Sequence, residues 1–571
     1  MKSRVFIFAL TGLFLVEAAL PIARAGSDNP HADSRTRLAA EALARGQQLL
    51  LKGNLDAAEA AFHEAVSAEP GRLDAQLGLV RIARTKLNYP LAIALLEKAA
   101  LEHPNSTAVP AEFGEVYLAA EEPARASRYF ESALRLSQVD ASAIIGLAGA
   151  DLLERDYDRA ARRLRDLLSR EPQNSHAHAR LARVLLESGN NRAAAEEAQS
   201  AISLDEYNAE AIHTLACVRS SERKADETRS LARRTVSLDP FNFGARRLLS
   251  QYLDGQSGYE QRVAEQARAH YDRGRSHKQK GDLTNAIAEF EESLRIEPRY
   301  YRALIGAGDA WLRQGEYERA ATAAKLAIEV DSDGASAQLE LSCAYRGESE
   351  RARAAVGAVD FAKLFYSREP VPAYSATPQV FPNYAALTRE QQTVIDIAVG
   401  PLAAYLPKLV RHKARHYLLA FDERPADLDG FADVADEKTF DGRYYASIRG
   451  VGGRVTVSGI EYLNQAARGG FNTIAHEFAH QVHIAALGKS EVKTIRKLYE
   501  RARKEGKTLD YYAAANEYEY FAQGYEAFIA KRKRPSAGVT ARHTSDELRS
   551  RDPELYTFFL KLCGKSQTSG R

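Results

Sequence analysis

Cysteine is nearly absent from this sequence of 571 residues, which contains only Cys217, Cys343 and Cys563. An odd number of widely spaced cysteines excludes a fold stapled by disulfides, and the spacing also excludes a cysteine-based zinc finger. The sequence also lacks an excess of one charge, because it contains 78 basic and 76 acidic side chains. Without a basic excess the chain lacks the electrostatic footprint of a nucleic-acid-binding protein, so no nucleic-acid partner is expected.

Long apolar runs are missing beyond the first residues, so no stable membrane span is expected. The N-terminus has a basic start, a short apolar run from Val5 to Val16 and the small-residue sequence Ala23-Arg24-Ala25. This order predicts a signal peptide over residues 1–25 that is cut near Ala25. A membrane anchor is the weaker alternative, because the apolar run is short and is closed by Glu17. We therefore expect a periplasmic or secreted protein.

Similar segments recur through the N-terminal part of the chain and end at Pro70, Pro104, Pro172, Pro240 and Pro298. The first interval is about 34 residues, the next two are twice as long, and the last falls between one and two periods. Small residues recur with the same period, at Ala58, Ala92, Ala126, Ala160, Ala194, Ala286 and Ala320. This pattern resembles the tetratricopeptide repeat, in which small residues let two antiparallel helices pack closely. The resemblance implies an all-α solenoid with a protein partner on its concave surface.

The repeat pattern divides this part of the chain. Residues 26–37 are expected to form a short N-terminal segment, and residues 38–254 six repeat units. The irregular last interval predicts a hinge at 255–264. Residues 265–350 are then predicted to form two more units and a capping helix that ends near Arg346.

A proline-rich linker is predicted at 351–384, because its prolines cannot continue a helix; they are Pro370, Pro372, Pro378 and Pro382. Beyond it, helical and strand patterns alternate, which predicts an α+β domain at 385–563 and a disordered tail at 564–571. This division also predicts that a chain beginning near Pro370 folds around its own core.

The sequence His-Glu-x-x-His occurs once, as His476, Glu477 and His480. Two histidines four residues apart lie on one face of a helix, so both rings can bind one zinc ion. The glutamate between them can take a proton from the attacking water. His476 and His480 are therefore candidate zinc ligands and Glu477 a candidate general base, with one Zn²⁺ per chain.

A third ligand must come from elsewhere in the chain. The metzincin continuation requires Gly at position 483 and His at position 486, and His483 and Ala486 exclude that class. A glutamate on a second helix is the alternative, as in thermolysin-type sites. Glu519 shares a helical face with Asn516, Gln523 and Glu526, whereas Glu517 points elsewhere, and Glu517 and Glu526 remain open as alternatives to Glu519.

The segment Asn516-Glu517-Tyr518-Glu519-Tyr520-Phe521-Ala522 resembles a segment of the anthrax lethal factor protease domain and of the Mlc titration factor peptidases. The motif His-Glu-Phe-Ala-His-Gln, which begins at His476, is also similar to the second family. The resemblance covers residues 385 to 563. It implies a zincin fold of the gluzincin type, Glu519 as the third zinc ligand and Tyr512 as the residue that stabilises the oxyanion or donates a proton.

Residues around the motif are expected to support the site. Asn516 and Gln523 are candidates for contacts that orient the zinc ligands. His483, three residues after His480, is expected to have such a role or to lie at the surface, and a fourth zinc ligand is the weaker alternative because a catalytic zinc keeps one position open. The strand material around Val451, Val455 and Val457 is a candidate edge strand that binds substrate, although an ordinary sheet edge has the same pattern.

Together these observations predict an all-α repeat solenoid followed by an α+β zincin-type metallopeptidase domain. The predicted function is that of an exported zinc-dependent endopeptidase that hydrolyses peptide bonds with an activated water. The solenoid would recruit a protein or peptide substrate, or another protein partner. The alternative is a non-catalytic peptide-binding scaffold, or an envelope quality-control chaperone, with a zincin-like domain.

Overall fold

The structure is a computed structural model that describes residues 30–253, 257–366, 374–425, 428, 449–451, 453–534 and 542–568. The predicted signal peptide, residues 1–25, lies outside the described residues. The first helix begins at Pro30, so most of the segment predicted at 26–37 belongs to the first repeat helix.

Six antiparallel helix pairs form the first array, as the repeat spacing predicts. They are α1 Pro30–Leu51 and α2 Leu55–Ala68, α3 Leu73–Thr85 and α4 Tyr89–Glu102, α5 Ala108–Ala119 and α6 Pro123–Leu136, α7 Ala141–Leu153 and α8 Tyr157–Arg170, α9 Ser175–Glu187 and α10 Asn191–Leu204, and α11 Ala209–Ser221 and α12 Ala225–Leu238. The recurring alanines from Ala58 to Ala194 have no exposed surface. Aromatic rings pack against glycines on neighbouring helices: a Cβ added at Gly46 or Gly78 would come within 2.8 or 2.6 Å of the Phe62 ring.

Two further pairs form the second array, and single helices precede and follow it. The elements are α13 Phe243–Ser250, a 3-10 turn Ser257–Glu260, α14 Glu265–Gln279, α15 Leu283–Ile296, α16 Tyr301–Gln314, α17 Tyr317–Val330 and α18 Ala335–Ala355. The capping helix α18 therefore runs well past the predicted end at Arg346. It packs against α13 and also against α4 of the first array.

The segment predicted as a hinge is held in place where the structure describes it. The Gly258 N–H donates to Asp331 at 3.0 Å, and the Tyr259 hydroxyl donates to the Phe421 carbonyl oxygen at 3.0 Å. Residues 254–256 lie outside the described residues. Gly258 and Tyr259 therefore contact both the second array and the C-terminal region, and a hinge at 255–264 stays a prediction.

The C-terminal region consists of helices around a small sheet. The helices are α19 Phe361–Tyr366, α20 Thr377–Val380, α21 Arg389–Val399, α22 Leu406–Arg411, α23 Glu461–Ala467, α24 Thr473–Ala485, α25 Lys489–Lys504, α26 Glu517–Ile529, α27 Ser545–Arg551 and α28 Pro553–Thr568, with 3-10 turns at Tyr384–Ala386 and Gly400–Tyr405. The strands are β1 Arg415–Leu419, β2 Gly450–Val451 and β3 Val455–Gly459. Since α28 continues to Thr568, residues 564–568 are helical, and the predicted disordered tail is wrong for them.

The sheet has the order β1-β3-β2. Strand β1 pairs in parallel with β3, from Arg415 opposite Val455 to Leu419 opposite Gly459, and β2 pairs antiparallel with β3. Strand β3 is therefore central. This corrects the edge prediction for Val457, which lies between Tyr417 of β1 and Val451 of β2. Val455 pairs with Arg415 of β1, and the described part of β2 does not reach it.

The C-terminal region shares its core with the second array. One cluster of buried side chains contains Tyr301, Leu304 and Leu339 from α16 and α18 together with Val394, Leu418 and many others from the C-terminal region. The two parts therefore pack on one another, and folding of a chain that begins near Pro370 around its own core stays a prediction.

One C-terminal stretch, Arg389–Arg411, is long and apolar enough to cross a membrane by length and composition alone. It is broken into α21, a 3-10 turn and α22 at Gly400 and Leu406. Its apolar side chains Val394, Ile395, Leu402 and Leu409 are completely buried, which is typical of a helix in a protein core.

Candidate metal centre

Helix α24 carries the His-Glu-x-x-His motif, and hydrogen bonds hold it at its N-terminus and again at Gln481. Asn472 caps its N-terminus by accepting the Ala475 N–H at 3.0 Å. The Asn472 N–H donates to Glu526 Oε1 of α26 at 2.9 Å. One turn beyond Glu477, the Gln481 side chain donates to the Arg415 carbonyl oxygen of β1 at 2.8 Å. These bonds hold the motif between the sheet and α26.

Asn516, which the sequence identified as a supporting candidate, is the residue just before helix α26. The Asn516 side chain accepts the N–H groups of Tyr518 and Glu519, each at 2.9 Å. It therefore caps the helix and fixes the backbone of Glu519, which lies in the first turn. A role for Asn516 in supporting a metal site stays a prediction.

Three predicted ligands converge at the contact between α24 and α26. The distances are 3.1 Å from His476 Nε2 to Glu519 Oε2, 3.2 Å between the Nε2 atoms of His476 and His480, and 3.4 Å from His480 Nε2 to Glu519 Oε2. Ligands about 2.0 to 2.1 Å from a tetrahedral zinc ion lie about 3.3 Å from one another. The spacing of these three side chains is therefore compatible with three ligands of one zinc ion.

Hydrogen bonds within this group shift the pKa of Glu519 and of His476. Burial alone would raise the pKa of Glu519, but hydrogen bonds to His476 and His480 hold it well below its ordinary value. Burial lowers the pKa of His476, and the pairing with Glu519 more than offsets this, so the net pKa is raised. Glu519 is therefore ionised beside the two imidazoles, and a metal that bound here would have to displace the proton that the raised pKa favours on His476.

The two alternative glutamates have other partners. Glu517 forms two hydrogen bonds with Arg496, at 2.8 and 2.9 Å. Glu526 is buried and pairs with Lys533 as well as with the Asn472 N–H. Neither carboxylate lies in the group of three, so of the candidates left open by the sequence only Glu519 is placed to bind a metal with the two histidines.

Glu477 lies beside the edge strand of the sheet. It is 7% exposed, and a Cβ added at Gly450 of β2 would come within 3.1 Å of its Oε1 atom. Strand β2 can approach this carboxylate closely because residue 450 has no side chain. The preceding Arg449 fixes the strand, since its guanidinium binds Glu461 at 2.8 and 2.9 Å. Of the three predicted edge residues, Val451 is therefore on the edge strand beside the motif.

Tyr512 lies in a turn that is held by Asp510 and His543, two residues that the sequence did not indicate. Its ring centroid is 6.1 Å from that of His476. Asp510 accepts the Ala513 N–H at 2.7 Å, and its other oxygen lies 2.9 Å from Gln523 Nε2 and 3.1 Å from His543 Nε2. Gln523 therefore acts on the tyrosine turn, and no motif marks Asp510 or His543.

His483 has a different environment from the one predicted. It is 2% exposed, and its ring lies 4.8 Å from that of Tyr518 and 5.1 Å from that of Phe521. Burial lowers its pKa to about 4. It packs as a neutral ring among aromatic side chains and does not belong to the group of three.

Comparisons with known proteins identify the repeats. Two sequence profiles described as tetratricopeptide repeat match residues 43–107 and 271–337, and residues 151–216. The comparison with curated proteins found no significant match.

Several solved structures are similar to this chain at low identity. The Cut9–Hcn1 hetero-tetramer of the APC/C has 14% identity and a TM-score of 0.32, with coverage of 54% of this chain and 58% of that one. A tetratricopeptide repeat protein from Parabacteroides merdae has 16% identity, a TM-score of 0.21 and coverage of 54% and 99%. PilF of Pseudomonas aeruginosa has 17% identity, a TM-score of 0.19 and coverage of 46% and 94%.

None of these scores reaches 0.5, so the assignment depends on the sequence profiles and on the paired helices. Solenoids of this kind present extended concave surfaces to other proteins. Residues 43–107, 151–216 and 271–337 of this chain are therefore tetratricopeptide repeats, and this part of the chain mediates protein–protein interaction.

Proposed function

We propose that this chain is an exported zinc-dependent endopeptidase whose repeat arrays bring a protein or peptide substrate to the C-terminal region. The observation that carries the proposal is the convergence of His476, His480 and Glu519 within 3.1 to 3.4 Å of one another, with Glu477 on the same helix. The resemblance of the two motif segments to gluzincin peptidases adds support. The basic and apolar N-terminal sequence supports export to the periplasm or medium.

Each side chain of the site has a separate role in the proposed peptide hydrolysis. A bound zinc ion would act as a Lewis acid and lower the pKa of water to about 7. Glu477 takes a proton from the water while the water oxygen bonds to the peptide carbonyl carbon. Glu477 then gives this proton to the amine as the C–N bond breaks. The Tyr512 hydroxyl donates a hydrogen bond to the oxyanion, and Asp510 holds the turn that carries Tyr512.

Zinc content is the direct test of the ligand set. The purified protein is expected to carry about one equivalent of zinc, because three ligands and an open position are typical of a catalytic site. Glu519→Ala should weaken zinc binding by at least about tenfold, which metal analysis after dialysis against a chelator would measure. Glu517→Ala is the matched control on the same helix and should retain the metal. Retention by Glu519→Ala with loss in Glu517→Ala would reverse the assignment.

Tyr512 is tested by removing only its hydroxyl. Tyr512→Phe should keep zinc and lower kcat on the order of 10²-fold, the effect of losing one oxyanion donor. Tyr556→Phe is the control, since this tyrosine of α28 packs its ring against Phe528 of α26, with ring centroids 5.4 Å apart, and lines neither the group of three nor the large cavity. An unchanged kcat in the Tyr512→Phe variant would remove Tyr512 from the mechanism.

A non-catalytic peptide-binding scaffold is the second candidate function, and the repeat assignment favours it. Such a protein would bind peptides with the same affinity whether or not zinc is present. Cleavage of an unstructured protein such as casein, abolished by a zinc chelator and restored by zinc, would exclude it.

A further inference from the structure

A large cavity lies where the first array, α13, α18 and the C-terminal region meet. Its volume is about 870 Å³, near the upper end of the range for ligand-binding pockets. His176 and His213 of the first array line one side, and Phe471 and Tyr511 of the C-terminal region line another. The cavity therefore belongs to the assembled chain and to neither part alone.

The cavity ends beside the candidate metal centre. The Phe471 ring centroid is 5.4 Å from that of His476. Tyr511 precedes Tyr512, and their ring centroids are 6.4 Å apart. A chain that occupied the cavity would thus reach the group of His476, His480 and Glu519 past these two aromatic residues.

Helix α18 restricts what can enter. The Arg353 side chain donates to the Ala120 carbonyl oxygen at 2.7 Å, and Ser349 bonds to the Tyr89 hydroxyl at 3.0 Å. These contacts place α18 against the first array, so that part of the array surface is covered by the chain itself. A folded partner cannot lie there, whereas an extended polypeptide can occupy the remaining space.

The charges that line the cavity are mostly positive. Six arginines line it, against Glu121, Glu187 and Asp239. Four of the arginines pair with acids, as Arg81–Glu112, Arg84–Glu115, Arg183–Glu187 and Arg534–Glu121. The other two are Arg247 and Arg346, and no ion pair joins either of them to an acid in the described part of the chain.

Arg247 and Arg346 lie where the array meets α23, the helix before the motif helix. The Arg247 guanidinium donates to Gln465 Oε1 of α23 at 3.2 Å. The Arg346 guanidinium lies over the Phe243 ring, 5.2 Å from its centroid. Burial, with repulsion from Arg247 and Arg534, lowers the pKa of Arg346 to about 10, and attraction to Cys343 and Glu350 offsets only part of this. A carboxylate near the two guanidinium groups would relieve this repulsion.

We propose that the cavity binds an extended, acidic polypeptide segment, with carboxylates bound by Arg247 and Arg346, and that it leads this segment to the candidate metal centre. The route to the metal centre rests on the proposed peptidase function. The binding site for acidic polypeptide does not, because it depends on charge and shape alone.

Binding of a fluorescein-labelled oligoglutamate peptide to the full-length chain tests the site without cleavage if every protein carries Glu477→Gln. Replacing both arginines, as Arg247→Gln with Arg346→Gln, should weaken binding by about tenfold or more. Arg165→Gln with Arg192→Gln removes the same charge from exposed positions of α8 and α10 and should change affinity little. Added salt should weaken oligoglutamate binding to the parent protein more than to the double variant.

Folding and charge are controlled separately. Arg247→Lys with Arg346→Lys keeps both charges and should keep most of the affinity, and thermal unfolding should show that the Gln variants are folded. Equal affinity of the parent and the Gln double variant for oligoglutamate would overturn the proposal. So would tighter binding of an oligolysine peptide, or of a single-stranded oligonucleotide, than of oligoglutamate.

Cleavage by the chain with Glu477 intact separates this inference from the proposed function. Cleavage of acidic and neutral unstructured substrates at equal kcat/KM would overturn the acidic preference and leave the peptidase function standing. No cleavage of any substrate, together with arginine-dependent oligoglutamate binding, would overturn the peptidase function and the route, and support the binding site.

Discussion

Glu477→Gln is expected to retain about one equivalent of zinc and to lose peptide cleavage by a factor on the order of 10² to 10⁴. The amide has nearly the shape of the carboxylate but cannot take a proton from water. The Glu477 carboxylate is not one of the three converging ligands, so metal content should not change. Metal analysis and the rate of cleavage of an unstructured protein, measured on the same preparation, give the two readouts.

The matched control is Glu517→Gln, which makes the same chemical change on α26. Glu517 binds Arg496 near the surface, so this variant should keep both zinc and cleavage activity. Cleavage by Glu477→Gln within a few-fold of the wild-type rate would remove Glu477 from the role of general base. Zinc lost together with activity would instead assign the glutamate to the metal.

The local part of the site could be predicted because helical periodicity fixes it. His476 and His480 share a helix face by their spacing alone, and the phase of α26 favours Glu519 over Glu517. The anchors of the Tyr512 turn could not be predicted in this way. Asp510 and His543 are 33 residues apart and meet only through tertiary packing. His483 has the right spacing for the site, yet tertiary packing places it among aromatic rings.

The same distinction applies to the fold. The regular repeat period predicted the helix pairs, because each unit packs mainly on its neighbours. The contact of α18 with the first array and the placement of β3 between β1 and β2 depend on residues far apart in sequence. The proline-rich segment correctly predicted a break in the helices, but a break in secondary structure does not imply separate hydrophobic cores. Whether two parts have separate cores depends on the side chains they bury, and here one buried cluster contains side chains of both parts.

A buried ion pair joins the second array to the C-terminal region. Lys278 of α14 binds Asp309 of α16 at 2.9 Å and also pairs with Asp422, which follows β1. All three side chains are almost completely buried. Burial lowers the pKa of Lys278, but the two aspartates more than offset this and raise it. The nearby Glu340 is buried, and burial raises its pKa well above the ordinary value, so it stays neutral.

Lys278→Ala is therefore expected to destabilise the whole chain by about 3 to 5 kcal/mol, since it leaves Asp422 buried without a cation. In this variant Asp309 would still bind the Arg313 guanidinium at 2.9 Å. Within the described residues, the only side-chain partner left to Asp422 would be the Tyr271 hydroxyl at 3.0 Å. Denaturant-induced unfolding, followed by signals from both parts of the chain, would measure the loss. Because the core is shared, both signals should shift together.

Two further variants make this prediction specific to the buried pair. Lys280→Ala, on the exposed side of the same helix end, should change stability by no more than about 0.5 kcal/mol. Lys278→Met with Asp422→Asn removes both charges and should recover most of the stability that Lys278→Ala loses, because the cost arises from an unpaired charge. A Lys278→Ala protein as stable as the wild type would contradict the predicted cost of the unpaired Asp422. A shift of only one of the two signals would instead show that the two parts unfold independently.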